Sequence, residues 1–405
     1  MRFFALLCLM LLSSTEATLR RYRTRVMKKK GGDPSARALV APSEDLAFEL
    51  YRVLVSTVPE ENIVFSPMSV YLSLGMLLLG SSSQTKAQIL RALGLRSQQD
   101  LEDRLHQDFR HLLLGLNQPT DGFQLNMGNT LFSDKAIEVR DTFLSAIKML
   151  YLADTFSVDF GDPTGTQKQI NDYVAKRTNN KIVDLIQNLD GSHIMMIVNF
   201  IFFKAKWETA FSPENIQQEV FYVNPETEVQ VPMMSREGDY YYFLDQNLSC
   251  SVVGVPYLGN GTAMFILPDD GMLQRVEKGL KGKTLKKWLE ASTKRRIDLH
   301  IPKFSVQGFY HLEDILPKLG IKDVFTSHAD LSGITGHRNT QVSEMVHKAV
   351  VEVDETGTKA AAATGTVITF RSAHLKTPEL RLNKPFLMAV LKNQNLLFFG
   401  KVSRP

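Results

Sequence analysis

The sequence predicts one large mixed α+β domain, and three observations lead there. The chain has 405 residues, 44% of them hydrophobic, with 25 Gly and 16 Pro, which is ordinary globular composition and enough chain to bury a large core. Apolar residues recur at helical spacing through the first part, strand-like runs dominate afterwards, and helices return late. No internal repeat and no Pro/Ser-rich linker divides the sequence, so these elements are read as one domain, residues 45–405.

Taken in order, the N-terminus "MRFFALLCLMLLSSTEATLRR" has Arg2 as a charged start, an apolar run from Phe3 to Leu12, and the small residues Thr15 and Ala17 before a cleavage point. It reads as a secretory signal peptide over 1–17. A run this short falls well below the roughly 20 residues a membrane span requires. Residues 18–44 follow as an arm without periodicity. Between Thr18 and Gly32 it holds Arg20, Arg21, Arg23, Arg25, Lys28, Lys29 and Lys30 and no acid. The formal net charge of +4 is therefore concentrated in a tail suited to a polyanion or simply to solvent.

"DLAFELYRVLVS" and "SPMSVYLSLGMLLLG" predict helices, the second with Ser66-Pro67 as its start signal. "VNFIFFKAKW", "VQVPMMS", "YYYFLD" and "NLLFFGKV" predict strands, and "KTLKKWLEAS" and "YHLEDILPKLG" predict later helices. Asn260-Gly261 reads as a hairpin turn between "VVGVPY" and "TAMFILP".

Cys8 leaves with the signal peptide, so Cys250 remains alone and no internal disulfide is expected, which a chain this long can tolerate. The strand-like "LSCSVVGVPY" around it predicts a packed, inert thiol. In a secreted chain the sequons at Asn247 and Asn260 become candidate glycosylation sites.

Catalytic constellations are missing from the sequence. "KGLKGKT" fails as a phosphate loop because Glu277 stands where the first glycine is required, and "GSSSQ" fails as a nucleophile elbow because of Gln84. There is no H-E-x-x-H and no C-x-x-C, hence no metal site is expected. His347, in apolar alternating "SEMVHKAV", reads as a hydrogen-bonded core histidine.

The stretch "DETGTKAAAATGTVITFRSAHLKTPEL" is unusual, with no large apolar side chain between Gly357 and Thr366 and an arginine at 371. In a strand, alternate residues face opposite sides. With Lys359 toward water, Thr358, Ala360, Ala362, Thr364, Thr366, Ile368 and Phe370 face inward. The first of these are small and uncharged, and Gly357 offers freedom to bend at the base. Such a segment can enter between two strands without overpacking the layer below. In "KGKTLKKWLEASTKRR", Leu285, Trp288 and Leu289, with Ser292 next, are expected to form the buried face of a short helix. Lys283, Lys286 and Lys287 lie off that face, with Lys294, Arg295 and Arg296 beyond its end. This cluster suits a sulfated glycosaminoglycan such as heparin, though Glu290 interrupts it.

"NIVFSPMSVYLSLGMLLLG", "INDYVAKRTNNKI", "VNFIFFKAKWE", "VPMM", "FILPDDG", "LGIKDVFTSHADLSGI", "SEMVHKAVVEVDETGTKAAAATG" and "NKPFLMAVLKNQNLLFFGKV" occur in the order and at the spacing of one family. From about Asp45 onward the chain resembles a serpin. The resemblance implies three β-sheets and about nine helices with an exposed reactive loop over about 355–378. It implies a hinge of Gly357, Thr358, Ala360, Ala361, Ala362 and Ala363, and, counting from Gly357, a reactive bond between Arg371 and Ser372. Ser66, Ser69, Asn199 and His347 match the cluster beneath the central sheet where strands part to admit the loop.

On this reading the protein is a monomeric, secreted inhibitor and not an enzyme. The resemblance implies trypsin-like partners such as activated protein C, thrombin, kallikreins, urokinase and acrosin. It implies no cofactor other than a glycosaminoglycan modulator, and no nucleic acid partner. A non-inhibitory serpin acting as a ligand carrier or chaperone is the alternative; it would tolerate bulky or charged residues on the hinge's inward face, and there are none.

Overall fold

A computed structural model of the chain describes residues 34–95, 99–118, 120–338, 340–359 and 377–405. The expected signal peptide, residues 18–33 of the basic arm and the loop residues Ala360, Ala361, Ala362, Ala363, Arg371 and Ser372 lie outside the described residues.

Ten α-helices occur among the described residues: α1 (Pro34–Thr57), α2 (Pro67–Gly80), α3 (Ser83–Ala92), α4 (Gln99–Leu116), α5 (Asp141–Tyr151), α6 (Pro163–Arg177), α7 (Leu273–Gly279), α8 (Gly282–Ala291), α9 (Leu312–Ile315) and α10 (Ser332–Thr335). The first helix begins at Pro34, so residues 34–44 of the arm are already helical. The α2 helix starts where the sequence placed it: the Ser66 side chain accepts from Ser69 N–H at 3.1 Å and Pro67 stands in the first turn, satisfying a donor the helix leaves unpaired. Nearly every residue of α2 is buried, because it runs through the centre of the molecule. "YHLEDILPKLG" does not continue as one helix. The α9 turn gives way to a 3-10 turn at Leu316–Leu319, since Pro317 has no N–H to extend the helical ladder.

Among the described residues the strands form three sheets. In the nine-stranded sheet the order is β1 (Ile63–Phe65), β16 (Asn395–Val402), β15 (Phe386–Lys392), β9 (Gly261–Pro268), β8 (Cys250–Pro256), β7 (Thr227–Asp245), β10 (Thr293–Pro302) and β14 (Glu379–Arg381), with β6 (Ile216–Asn224) also on β7. In the five-stranded sheet it is β11 (Phe304–His311), β12 (Glu344–Val353), β4 (Met195–Ala205), β2 (Phe123–Asp134) and β3 (Asp154–Val158). The third sheet pairs β5 (Trp207–Thr209) with β13 (Gly357–Lys359).

The five-stranded sheet is buried on both faces, as the largely apolar β4, interrupted at its middle only by Asn199, requires. Ile197, Ile201, Phe203, Met345 and Ala349 join the main core. The alternate set, Met196, Val198, Phe200, Phe202, Val346 and Val350, packs in a second cluster with Ile170 and Val174 of α6. The two central strands, β4 and β12, are parallel and directly paired from Met196↔Glu344 to Lys204↔Glu352.

Candidate functional site

Where β12 ends, the chain crosses to β5. Trp207 N–H donates to Thr356 O at 2.9 Å, the Trp207 indole donates to Asp354 O at 2.6 Å, and Phe211 N–H donates to Glu355 O at 3.1 Å. Ion pairs fasten the same turn: Lys204 with Asp354 at 2.6 Å and Lys303 with Glu355 at 2.6 Å. The hydrogen-bonded Lys303 ammonium holds the Glu355 carboxyl below its usual range. Trp207 itself is buried and stacked on Tyr257, centroids 4.1 Å apart. Gly357 then runs parallel against Trp207, and Lys359 against Thr209.

The need for glycine at 357 differs from the flexibility expected of it. Gly357 is not among the residues at positive φ; instead, a Cβ there would stand 2.5 Å from Ala210 N and 2.6 Å from Ala210 Cα. Backbone passes backbone too closely for any side chain.

Midway down the β4–β12 seam lies a polar row. His347 and Asn199 are register partners across it, and Asn199 and Asn129 are partners across β4 and β2. All three are buried, and Ser66, Ser69 and Ser73 of the α2 cap and helix lie beneath. The proton positions follow from one fixed donor. Ser66 N–H can only donate, and it meets His347 Nε2 at 2.9 Å, so this nitrogen carries the lone pair. The neutral ring therefore holds its proton on Nδ1, which donates to Asn199 Oδ1. That turns the amide so that Nδ2 faces Ser69 Oγ at 2.7 Å and Asn129 Oδ1. Burial holds the imidazole neutral, its pKa pushed down to about 3. The structure thus unites Ser66, Ser69, Asn199 and His347. It adds Ser73, whose hydroxyl donates to Asn129 Oδ1 at 2.5 Å, and Asn129 itself, both missed in the sequence. The second of two asparagines in the strand "FQLNMGNTLFSD" and a serine four residues after Ser69 were the available signals.

The α8 surface departs from expectation in one respect. Gly282, Leu285 and Trp288 form its buried stripe, whereas Leu289 is 37% exposed. The contact line advances by three residues per step, and Leu289 falls outside so narrow a stripe. The six basic residues are all exposed but not all unpaired. Lys287 meets the buried Asp245 carboxylate at 3.1 Å, and the Trp288 indole donates to the same oxygen at 2.8 Å. Arg296 pairs with Glu237 at 2.9 Å and Lys286 approaches Glu290 at 4.0 Å. No ion pair occurs among the described residues for Lys283, Lys294 or Arg295. The last two lie over the Tyr241 and Tyr242 rings.

Asn247 and Asn260 are both exposed. The β8–β9 turn falls on Gly259 and Asn260, with φ of 71° and 62°, the left-handed conformation tight hairpins demand; it sits one residue earlier than the Asn260-Gly261 expected, because Gly261 already opens β9. Cys250 is buried and free, with burial pushing its thiol up to about 12. No described helix is long and apolar enough to cross a membrane.

Two adjacent parallel strands, a chain crossing from one to the continuation of the other at their shared end and a polar row beneath the seam define a class. Residues 41–405 match the family model of the serpins, serine protease inhibitors, and the chain belongs to that family; the expectation of an inhibitor, not an enzyme, agrees with this membership. It is 59% identical over 407 residues to the human plasma serine protease inhibitor, with all of both chains covered. Among solved structures, human thyroxine-binding globulin complexed with its hormone matches at a TM-score of 0.84 and 35% identity, over 92% of this chain and 99% of that one. Human glycosylated kallistatin matches at 0.83 and 37% identity, over 92% and 99%.

Proposed function

We propose that this protein is a secreted suicide-substrate inhibitor of trypsin-like serine proteases. The observation that carries the reading is the direct parallel pairing of β4 and β12. A loop folding back from the end of β12 would run antiparallel to both. One parallel ladder would then be exchanged for two antiparallel ones, which are slightly more stable per residue. Insertion is thus downhill, and the uninserted protein stores that free energy.

Arg371 enters the specificity pocket of a trypsin-like enzyme, where its guanidinium meets a buried carboxylate. The protease forms an acyl bond at Arg371 and releases Ser372. The loop then inserts and carries the tethered enzyme across the molecule, distorting its active site before hydrolysis. The uncharged inward set from Thr358 onward supports this over the carrier alternative, which the likeness to thyroxine-binding globulin keeps in view. Heparin or a related glycosaminoglycan binds Lys283, Lys286, Lys294 and Arg295, with Lys287 and Arg296 partly neutralised, and holds inhibitor and protease on one template. Glycans on Asn247 and Asn260 fit their exposure.

The test mixes wild type and Arg371→Ala with activated protein C, thrombin, kallikreins, urokinase and acrosin, followed by denaturing gels. Wild type should form gel-stable complexes with one or more of them. Arg371→Ala should lose at least a hundredfold in inhibition rate with an unchanged melting temperature, because a loop side chain adds little to the core. Equal rates for the two proteins would exclude this reactive bond.

A further inference from the structure

At the end of the five-stranded sheet away from the hinge, four segments bring two histidines and two glutamates together. His311 closes β11, Glu313 follows in α9, Glu344 opens β12, and His193 shortly precedes β4. His311 Nδ1 lies 3.0 Å from Glu313 Oε1 and 3.3 Å from Glu344 Oε1. These three ligand atoms all stand within 4.8 Å of one another. A tetrahedral zinc ion with ligands about 2.0–2.1 Å away separates them by about 3.3 Å. Two of the three edges are therefore already close to that spacing.

The surroundings suit a cation. Both carboxylates converge on one imidazole nitrogen, whose single N–H can serve only one of them; an ion serves all three. Glu313 is held from behind, its Oε2 accepting Met345 N–H at 2.9 Å. Glu344 is held by its other oxygen, 3.0 Å from His193 Nε2, while His193 Nδ1 meets Asp190 O at 2.5 Å. Such outer partners orient metal ligands. Lys348 lines the same cleft of about 280 Å³, its ammonium over the Phe309 ring.

We propose that His311, Glu313 and Glu344 bind a zinc ion, with water as fourth ligand, and that His193 ties the occupied site to the β4 side of the seam. One imidazole with oxygen donors favours zinc over magnesium or calcium.

The position gives the site a regulatory role, which rests on loop insertion as proposed above. Neighbouring strands lie about 4.8 Å apart, so an entering strand doubles the β4–β12 separation. Residues 360–371 outnumber the ten of β12, and the entering strand reaches Glu344. His193 then leaves Glu344. Zinc thus favours the closed seam, and by linkage insertion lowers zinc affinity as much as zinc disfavours insertion.

Titration calorimetry of the uncleaved full chain in a non-chelating buffer tests the site. One equivalent of Zn²⁺ should bind and Mg²⁺ should not. Glu344→Gln and His311→Ala should each weaken zinc at least tenfold; the His311 ring is 47% exposed, so that variant keeps the fold even if the other does not. Protein cleaved in the loop should bind zinc at least fivefold more weakly than uncleaved protein, and His193→Ala should remove that difference. Equal zinc binding by wild type and His311→Ala overturns the site. Unchanged affinity after cleavage, in protein whose melting temperature has risen, overturns the coupling. If cleavage raises no melting temperature, loop insertion is what has failed, and the titration of uncleaved protein still decides the site.

Discussion

His347 shows how much one side chain can depend on its setting. Its imidazole is held neutral by burial, with a pKa near 3 in the closed sheet, whereas a solvated histidine titrates near 6.5. Because the folded value is the lower one, opened or unfolded protein takes up a proton that the closed form refuses. Stability is therefore unaffected above about pH 7 and falls as pH drops below 6.5, by up to about 1.4 kcal/mol per pH unit until about pH 3. His106, buried and pushed down to about 4, adds the same sign. Melting temperatures of wild type and His347→Gln between pH 8 and 4 should converge toward acid, with the shallower slope in the variant; parallel curves would contradict the assignment. At pH 8 the variant should melt several degrees lower, because Ser66 N–H and Asn199 lose partners in a dry site, at about 1–3 kcal/mol per orphaned group.

At the scale of elements, the β13–β5 pair and α8 each yield a prediction. Gly357→Ala forces a Cβ to 2.5 Å from the Ala210 backbone, so β13 must leave β5. The expected result is faster hydrogen exchange at Trp207–Thr209 and a loss of about 1–3 kcal/mol; unchanged protection there would refute the close approach. On α8, the sequence treats Lys283, Lys286 and Lys287 as equivalent, but the fold does not. Lys287→Ala removes the cation from buried Asp245 and should lower the melting temperature. Lys283→Ala with Lys294→Ala should leave it unchanged while weakening heparin and flattening the salt dependence of its binding. If heparin affinity survives that pair but is lost on deleting residues 18–32, the basic arm is the binding site.

For the whole molecule, the consequence of a direct β4–β12 ladder is a native state that improves when cut. Nine register pairs join the two strands, and an entering strand would replace them with a ladder on each side. At about 0.2–1 kcal/mol per cross-strand pair, loop cleavage should stabilise the protein by several kcal/mol and raise its melting temperature by about 10 °C or more. A cleaved protein melting at or below the uncut temperature would place this chain with the non-inhibitory alternative. Much of this was legible in advance. The Ser66-Pro67 start of α2, the runs that became β4 and β16 and a turn at Asn260 are all local, and periodicity, capping and turn chemistry act over a few residues. By itself the sequence determined these elements and the family. Only the tertiary structure decided that Asn129 and Ser73 complete the row around His347 and Asn199, whose bond joins residues 148 apart. It also decided that Gly357 answers to Ala210, that Leu289 faces solvent, that Asp245 claims Lys287, and that His311 and Glu313 meet Glu344. Each depends on sheet register and helix placement across long stretches of chain, which no local pattern encodes.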